Sequence, residues 1–455
     1  MIKQIKVLKD EQYQDFVARL INAKFNFEDK DMFNENILQG PCVKTITFQV
    51  TENCNLCCSY CYQTNKSKER MDFDTAKKFI DLLIKESYDE NSSFHISKAA
   101  GIIIEFIGGE PLLEIELIDQ IYNYFRFRLI QEQHPWAIYH RISMISNGVK
   151  YFDPVVQDFL QRNANVVNFS ITLDGNKILH DSCRVFPDGT GSYDLAVEAC
   201  KYHMKNSNST LYTKMTFAPD NIIYAYDALL NLIDLGYTYI HCNCVYEDVW
   251  DKTIHPKILY EQIKKITDYL FDNDLQNKIT ISLFKNDNFT ACVDDQNYCG
   301  SNCSMLALDY KGDIYPCVRF MKSSLGNEIE PYSIGSINEG IGVGEYSERF
   351  KELYSITRTS QSSEKCINCP IATGCGWCTA YNYQVTGSVN KRVESICEMH
   401  QARALANVYY WNKLYKYNNE DMFFPMNIPK EWALEIIDEE EYNMLVELTR
   451  FRDNE

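Results

Sequence analysis

No run of about 18 apolar residues occurs in the 455-residue sequence, so no segment reads as a membrane-spanning helix. The opening stretch MIKQIKVLKDEQYQDF lacks the apolar core of a secretory signal. Positive charge is also short. The chain carries 45 Lys+Arg against 63 Asp+Glu, a net of −18, which argues against a nucleic-acid polyanion as its main partner. Such a balance suits a basic peptide partner, although most acidic proteins are simply soluble. There is no internal repeat and no low-complexity tract. The expectation is a cytoplasmic protein with no membrane and no nucleic-acid partner.

What is present is a large apolar fraction, 45%, enough for an extensive core, and eighteen cysteines. In a reducing compartment that many thiols point to metal binding or catalysis rather than disulfides. Strand-like runs recur at 44–50, 101–107, 139–146, 166–173, 210–217 and 239–245. Helical patterns such as 74–84, 153–161 and 224–235 follow several of them. Alternation of this kind predicts an α/β fold with a parallel sheet and crossover helices. Six units are too few for a closed eight-fold barrel, which leaves a partial (β/α)6 barrel or a doubly wound sheet. The expected organisation is an N-terminal cap or reduced leader-binding element over 1–43, a barrel over 44–285, a cysteine-rich, loop-rich domain over 286–400, and a helical tail over 401–455. The stretch EQYQDFVARLINAKF inside the first of these predicts one amphipathic helix.

In α/β barrels the reactive groups stand on loops at the carboxyl ends of strands. Here the unusual residues fall there in turn. CNLCCSYC (Cys54–Cys61) follows the first run and Gly108-Gly109-Glu110-Pro111 the second. Asn147-Gly148 follows the third, Asp174-Gly175 with His180, Asp181 and Arg184 the fourth, and Glu247-Asp248 the sixth. Singly, the Asn-Gly and Asp-Gly pairs are ordinary turns, and Glu247 and Asp248 read as solvated. Together the strand ends describe a pocket. Cys54, Cys58 and Cys61 make C-x3-C-x2-C on a loop able to wrap one small object. Thiolates suit zinc or iron–sulfur clusters, and three ligands leave one iron of a [4Fe–4S] cube open. Cys57, beside Cys58, reads as packing or a spare thiol.

This loop, with Tyr60 as the aromatic residue before Cys61 and GGEP one strand later, resembles the radical S-adenosylmethionine (SAM) superfamily. The resemblance implies that Cys54, Cys58 and Cys61 hold the catalytic cluster, whose open iron is chelated by SAM. It implies cleavage of SAM to methionine and a 5′-deoxyadenosyl radical that abstracts hydrogen from substrate. It further implies SAM contacts from Tyr60, Gly108, Gly109, Glu110, Ser146, Asn147, Thr172, Asp174 and Arg184, and an external one-electron reductant of flavodoxin or ferredoxin type.

A second constellation reads CGSNCSMLALDYKGDIYPC (299–317), CINCPIATGCGWC (366–378) and Cys397. Eight thiols suffice for two four-ligand sites. The pattern resembles the SPASM extension of radical SAM enzymes that modify peptides and proteins. The resemblance implies two further [4Fe–4S] clusters, three in all, the first on Cys299, Cys303, Cys317 and Cys378 and the second on Cys366, Cys369, Cys375 and Cys397. Cys375 and Cys378 have two residues between them where the family usually has three, and Cys292 competes for the first site. Cys42, Cys183, Cys200, Cys242 and Cys244 read as small hydrophobes.

The phrases KMTFAPDNI (214–222), CNCVYED (242–248) and LALDYKGDIYPCVRFMKSSLG (306–326) resemble maturases of ribosomal peptides, most of all those acting on Cys-x-x-x-repeat, freyrasin-type (ranthipeptide) precursors. That implies a cysteine-containing precursor peptide with a leader, and an intramolecular thioether as product. The enzymatic alternative is an anaerobic sulfatase-maturing enzyme that forms formylglycine. The non-enzymatic alternative is a zinc-stabilised interaction protein.

Overall fold

The computed structural model describes residues 42–206, 212–284 and 289–450 apart from 293, 298 and 303. The helix expected within 1–43 and the ligand expected at Cys303 lie outside the described residues. The chain forms two compact units that interleave in sequence. The first contains the described residues up to Asn55, Cys61–Phe169 and Gly300–Ser355; the second contains Leu56–Tyr60, Ser170–Cys299 and the described residues from Ile356 onward.

The first unit is built on β1 (Val43–Thr51), β2 (Gly101–Gly108) and β3 (His140–Ser146), paired in parallel in that order, with β4 (Val167–Ile171) next to β3. β1 reads VKTITFQVT, and its last six residues are all buried, the pattern of a strand covered on both faces. A helix follows each of these strands. Phe73–Glu86 starts where Asp72 accepts from the Thr75 N–H at 2.6 Å. Pro154–Arg162 starts on Asp153 with proline at its first position, where a missing N–H costs nothing. On the other side of β1 the sheet continues through β8 (Met305–Leu308), β9 (Asp313–Tyr315), β10 (Gly335–Ser336) and β11 (Gly340–Ile341). β8 lies parallel to β1, with Thr45 opposite Met305.

The second unit has its own parallel sheet, β5 (Tyr212–Phe217), β6 (Tyr239–Cys244) and β7 (Thr280–Ile281). The α/β expectation therefore holds, and the six expected strands are all present, divided between two ladders. At the break, side chains take the place of backbone rungs. Ser170 Oγ donates to the Tyr212 carbonyl at 2.9 Å, and Thr213 Oγ1 donates to the Ile171 carbonyl at 3.0 Å. The helices Ala225–Asp234 and His255–Asp272 follow β5 and β6. The cysteine-rich stretch, expected to be mostly loop, contains the short helices Ser347–Tyr354, Arg358–Gln361, Glu364–Ile367 and Thr379–Thr386. Among the described residues no helix is long and apolar enough to cross a membrane.

Candidate radical SAM and auxiliary cluster sites

In the first unit the ends of β1, β2 and β3 are tied together by backbone. Gly109 N–H donates to the Thr51 carbonyl at 3.1 Å and Glu110 N–H to the Asn53 carbonyl at 3.0 Å, so the β1–β2 pairing runs on into the cysteine loop. A Cβ on Gly109 would stand 2.4 Å from Asn53 O and 2.7 Å from Cys54 Cβ. The glycine is thus required by the approach of the chain's own loop. Glu110 is buried, and its carboxylate is engaged within the unit. Oε1 accepts from Leu112 N–H at 3.0 Å and from Ser146 Oγ at 2.8 Å, while Oε2 accepts from Asn147 N–H at 2.8 Å. Asn147 Nδ2 in turn donates to Asn55 Oδ1 at 2.7 Å and reaches Cys54 Sγ at 4.0 Å. Lys66 Nζ stands 3.6 Å from Cys61 Sγ.

In the second unit Tyr60 and Arg184, both half-buried, converge on the fully buried carboxylate of Asp174. Tyr60 donates to Asp174 Oδ2, and Arg184 Nε donates to the same oxygen at 2.6 Å. Arg184 Nη1 points on to Cys58 Sγ at 3.7 Å. Burial opposes the Arg184 charge, but Tyr60, Asp174 and Cys58 outweigh it and hold its pKa well above the usual value. Burial above all pushes the Tyr60 phenol up. Asp174 lies ahead of Gly175, whose φ of +95° and closeness to Ala228 admit no side chain. Asp174 N–H donates to His180 Nδ1 at 3.3 Å. Ser192 Oγ is 3.0 Å from His180 Nε2 and donates to the Arg184 carbonyl at 2.8 Å. That pattern requires a neutral, Nε2-protonated imidazole, and burial lowers the His180 pKa to about 4. Thr172 is buried in this unit. Asp248 is exposed, as expected for a solvated acid.

Cys57 is exposed, which leaves it a spare thiol rather than a packing residue. Cys183, Cys200 and Cys242 are buried as small hydrophobes. Cys42 departs from that expectation and is exposed, because it stands one residue ahead of β1, outside the ladder.

Five cysteines of the second unit, Cys366, Cys369, Cys375, Cys378 and Cys397, line one cavity. Cys397 is within electrostatic reach of Cys375 and Cys366, and Cys375 of Cys369 and Cys366. Burial pushes the Cys397 thiol up to about 12. Cys378 and Cys299, with Cys375, lie within reach of Tyr246. Cys317, in the first unit, shares Tyr62 as a neighbour with Cys61. Cys292 is placed beside the Cys366 backbone. The buried Arg358 guanidinium donates to the carbonyls of Cys292 and Cys366, both at 3.2 Å.

A family model described as a 4Fe-4S single cluster domain matches residues 38–169. The chain is 22% identical over 343 residues to a cysteine-type anaerobic sulfatase-maturating enzyme of Clostridium novyi, covering 72% of this chain and 83% of that one. It is 29% identical over 194 residues to an uncharacterized protein of Methanocaldococcus jannaschii, covering 43% of this chain and 60% of that protein's length. A solved structure described as native anSMEcpe with bound AdoMet and Cp18Cys peptide superposes with a TM-score of 0.57 at 15% identity, over 82% of this chain and 98% of that one. The chain shares the fold of that AdoMet-bound structure.

The thiols of the Cys54–Cys61 loop are donors of the kind that hold an anionic iron–sulfur cluster. Each of Cys54, Cys58 and Cys61 has an N–H donor from its own unit, namely Asn147, Arg184 and Lys66. Such donors stabilise thiolate and sulfide charge. Among the described residues no three or more His, Cys, Asp or Glu side chains gather in a way that could hold a single metal ion. The five thiols around one cavity suit a wider ligand better than one ion. Sequence reasoning missed Asn55, Lys66 and Arg358. Lys66, five residues past Cys61, was the most accessible of them, but one lysine among many carries no signal.

Proposed function

We propose that the protein is a radical SAM maturase that oxidises a cysteine carried on a peptide or protein segment. The observation that carries this is the N–H donor on each sulfur of C-x3-C-x2-C, beside a GGEP turn that continues the β1–β2 pairing. Bound there, SAM and a [4Fe–4S] cluster would supply the hydrogen-abstracting radical. Cys54, Cys58 and Cys61 would hold the cluster. Asp174 would hold Arg184 in place, and Glu110 would brace Ser146 and Asn147. Tyr60, Gly108, Gly109 and Thr172 would shape the SAM pocket. Auxiliary clusters on Cys299, Cys303, Cys317 and Cys378 and on Cys366, Cys369, Cys375 and Cys397 would make three in all. An external one-electron reductant of flavodoxin or ferredoxin type would serve them.

Two products follow from oxidising a cysteine by two electrons. Formylglycine is favoured by the sulfatase-maturating relative, which covers 72% of the chain. A thioether to a downstream carbon is favoured by the maturase-like phrases at 214–222, 242–248 and 306–326. The test is anaerobic incubation of reconstituted protein with SAM, reductant and cysteine-containing peptides, followed by fragmentation mass spectrometry. Loss of two hydrogens with sulfur retained and blocked to alkylation gives the thioether. Replacement of sulfur by a hydrazine-reactive aldehyde oxygen gives formylglycine. SAM cleavage with every peptide unmodified removes the cysteine reading, and a colourless protein that binds zinc removes the radical one.

A further inference from the structure

Within the second unit, Arg392 is a cation fixed against a cysteine sulfur. Its Nη2 lies 2.9 Å from Cys375 Sγ, and the guanidinium centre lies 4.4 Å from the centre of the Trp377 ring. The backbone on either side is strapped down. Arg392 N–H donates to the Gln361 carbonyl at 2.8 Å and Val393 N–H to Asn382 Oδ1 at 2.9 Å. Stacking a planar guanidinium on an indole while one edge donates to sulfur is open to arginine and closed to lysine. On Cys366 the charge is reversed. Its Sγ is 3.4 Å from Glu394 Oε1, a carboxylate that also accepts from Ser363 and lies 3.8 Å from Lys365 Nζ.

We infer that Arg392 is a positioning residue for electron transfer, which raises the reduction potential of a [4Fe–4S] cluster held by Cys366, Cys369, Cys375 and Cys397, with Glu394 opposing it. The inference rests on the reading that this region binds clusters. Uptake of one electron there adds one negative charge. A permanent positive charge in contact with a ligand sulfur stabilises the more negative state, and an N–H donor on a thiolate draws off electron density. Both effects move the potential upward and favour acceptance of the second electron that cysteine oxidation must shed.

The test is an anaerobic redox titration with dithionite, followed by electron paramagnetic resonance, on the full chain. A background combining Cys54→Ala, Cys58→Ala and Cys61→Ala isolates the auxiliary signals. In that background Arg392→Gln is expected to shift a midpoint negative by at least a tenfold change in the one-electron equilibrium, about 59 mV. Arg392→Lys is expected to shift it less, and Glu394→Gln to shift it positive. An unchanged midpoint in Arg392→Gln with iron retained overturns the inference. Loss of iron from both Arg392 variants makes the residue structural and overturns it equally. A background protein with no iron in this region fails the cluster reading itself, and the iron assay shows that before any potential is measured.

Discussion

The two cysteine-rich stretches are positioned by different forces. Cys54–Cys61 begins where the parallel ladder of β1 and β2 runs out, and two backbone hydrogen bonds from Gly109 and Glu110 carry that ladder onto it. Around Cys292 and over 356–397 side chains carry much of the positioning. Arg358 gathers the carbonyls of Cys292, Asp294, Cys366 and Ile367, Ser363 caps the turn of Cys366, and Asn382 holds Val393. A strand end repeats its geometry from protein to protein, whereas a stapled loop depends on which distant side chain reaches it.

The sharpest way to break this comparison is Cys58→Ala. It is expected to reduce 5′-deoxyadenosine formation to background and to remove about four iron atoms per chain, one cluster's worth. Undiminished SAM cleavage would refute the ligand set. Next comes Gly109→Ala, which pushes a methyl into Asn53 and Cys54. It should cost about 1–3 kcal/mol of stability in chemical denaturation and most of the SAM cleavage, with the cysteines of 366–397 still loading iron. Full activity in that variant would mean that the loop does not depend on the ladder.

A third test concerns the scaffold. His140 Nδ1 is 2.8 Å from the Trp136 carbonyl, and Nε2 is 3.0 Å from Tyr122 Oη, and burial favours the neutral ring. Burial lowers its pKa to about 4. Above pH 6.5 neither folded nor unfolded imidazole binds a proton. Below it the unfolded ring does and the folded one does not, so stability falls as pH drops from 6.5 toward 4. The full loss is about 3 kcal/mol. Denaturation midpoints between pH 7 and 4.5 should show that slope, to which the buried His180 adds in the same direction, and His140→Gln should make it shallower; equal slopes would rule out a His140 contribution. The smallest effect belongs to Cys57→Ser. An exposed thiol beside Cys58, the proposed ligand, should be replaceable without change in iron content or SAM cleavage, and a lost cluster would move Cys57 into the proposed ligand set.

Much of the first region was legible because periodicity carries it. The runs at 44–50, 101–107 and 139–146 match β1, β2 and β3 to within about a residue or two, and Asp72 and Asp153 stand at helix starts. The run at 166–173 proved longer than β4, and beyond it Leu173 N–H donates to the Thr213 hydroxyl at 3.3 Å rather than to a backbone rung. The triad of Tyr60, Asp174 and Arg184 was named residue by residue, yet its mutual bonding was invisible, since the partners are 114 and 10 residues apart. Arg392 and Arg358 gave no sign at all, as arginines in irregular chain have no period to betray them.

By itself the sequence determined what local chemistry dictates: parallel strands from buried apolar runs, turns from Asn-Gly and Asp-Gly, and three thiols brought onto one short loop. The tertiary structure alone decided which charges meet which sulfurs. Arg184 on Cys58, Lys66 on Cys61 and Arg392 on Cys375 arise from the path of the chain in space. Such contacts depend on distance through space, and spacing along the chain does not encode that.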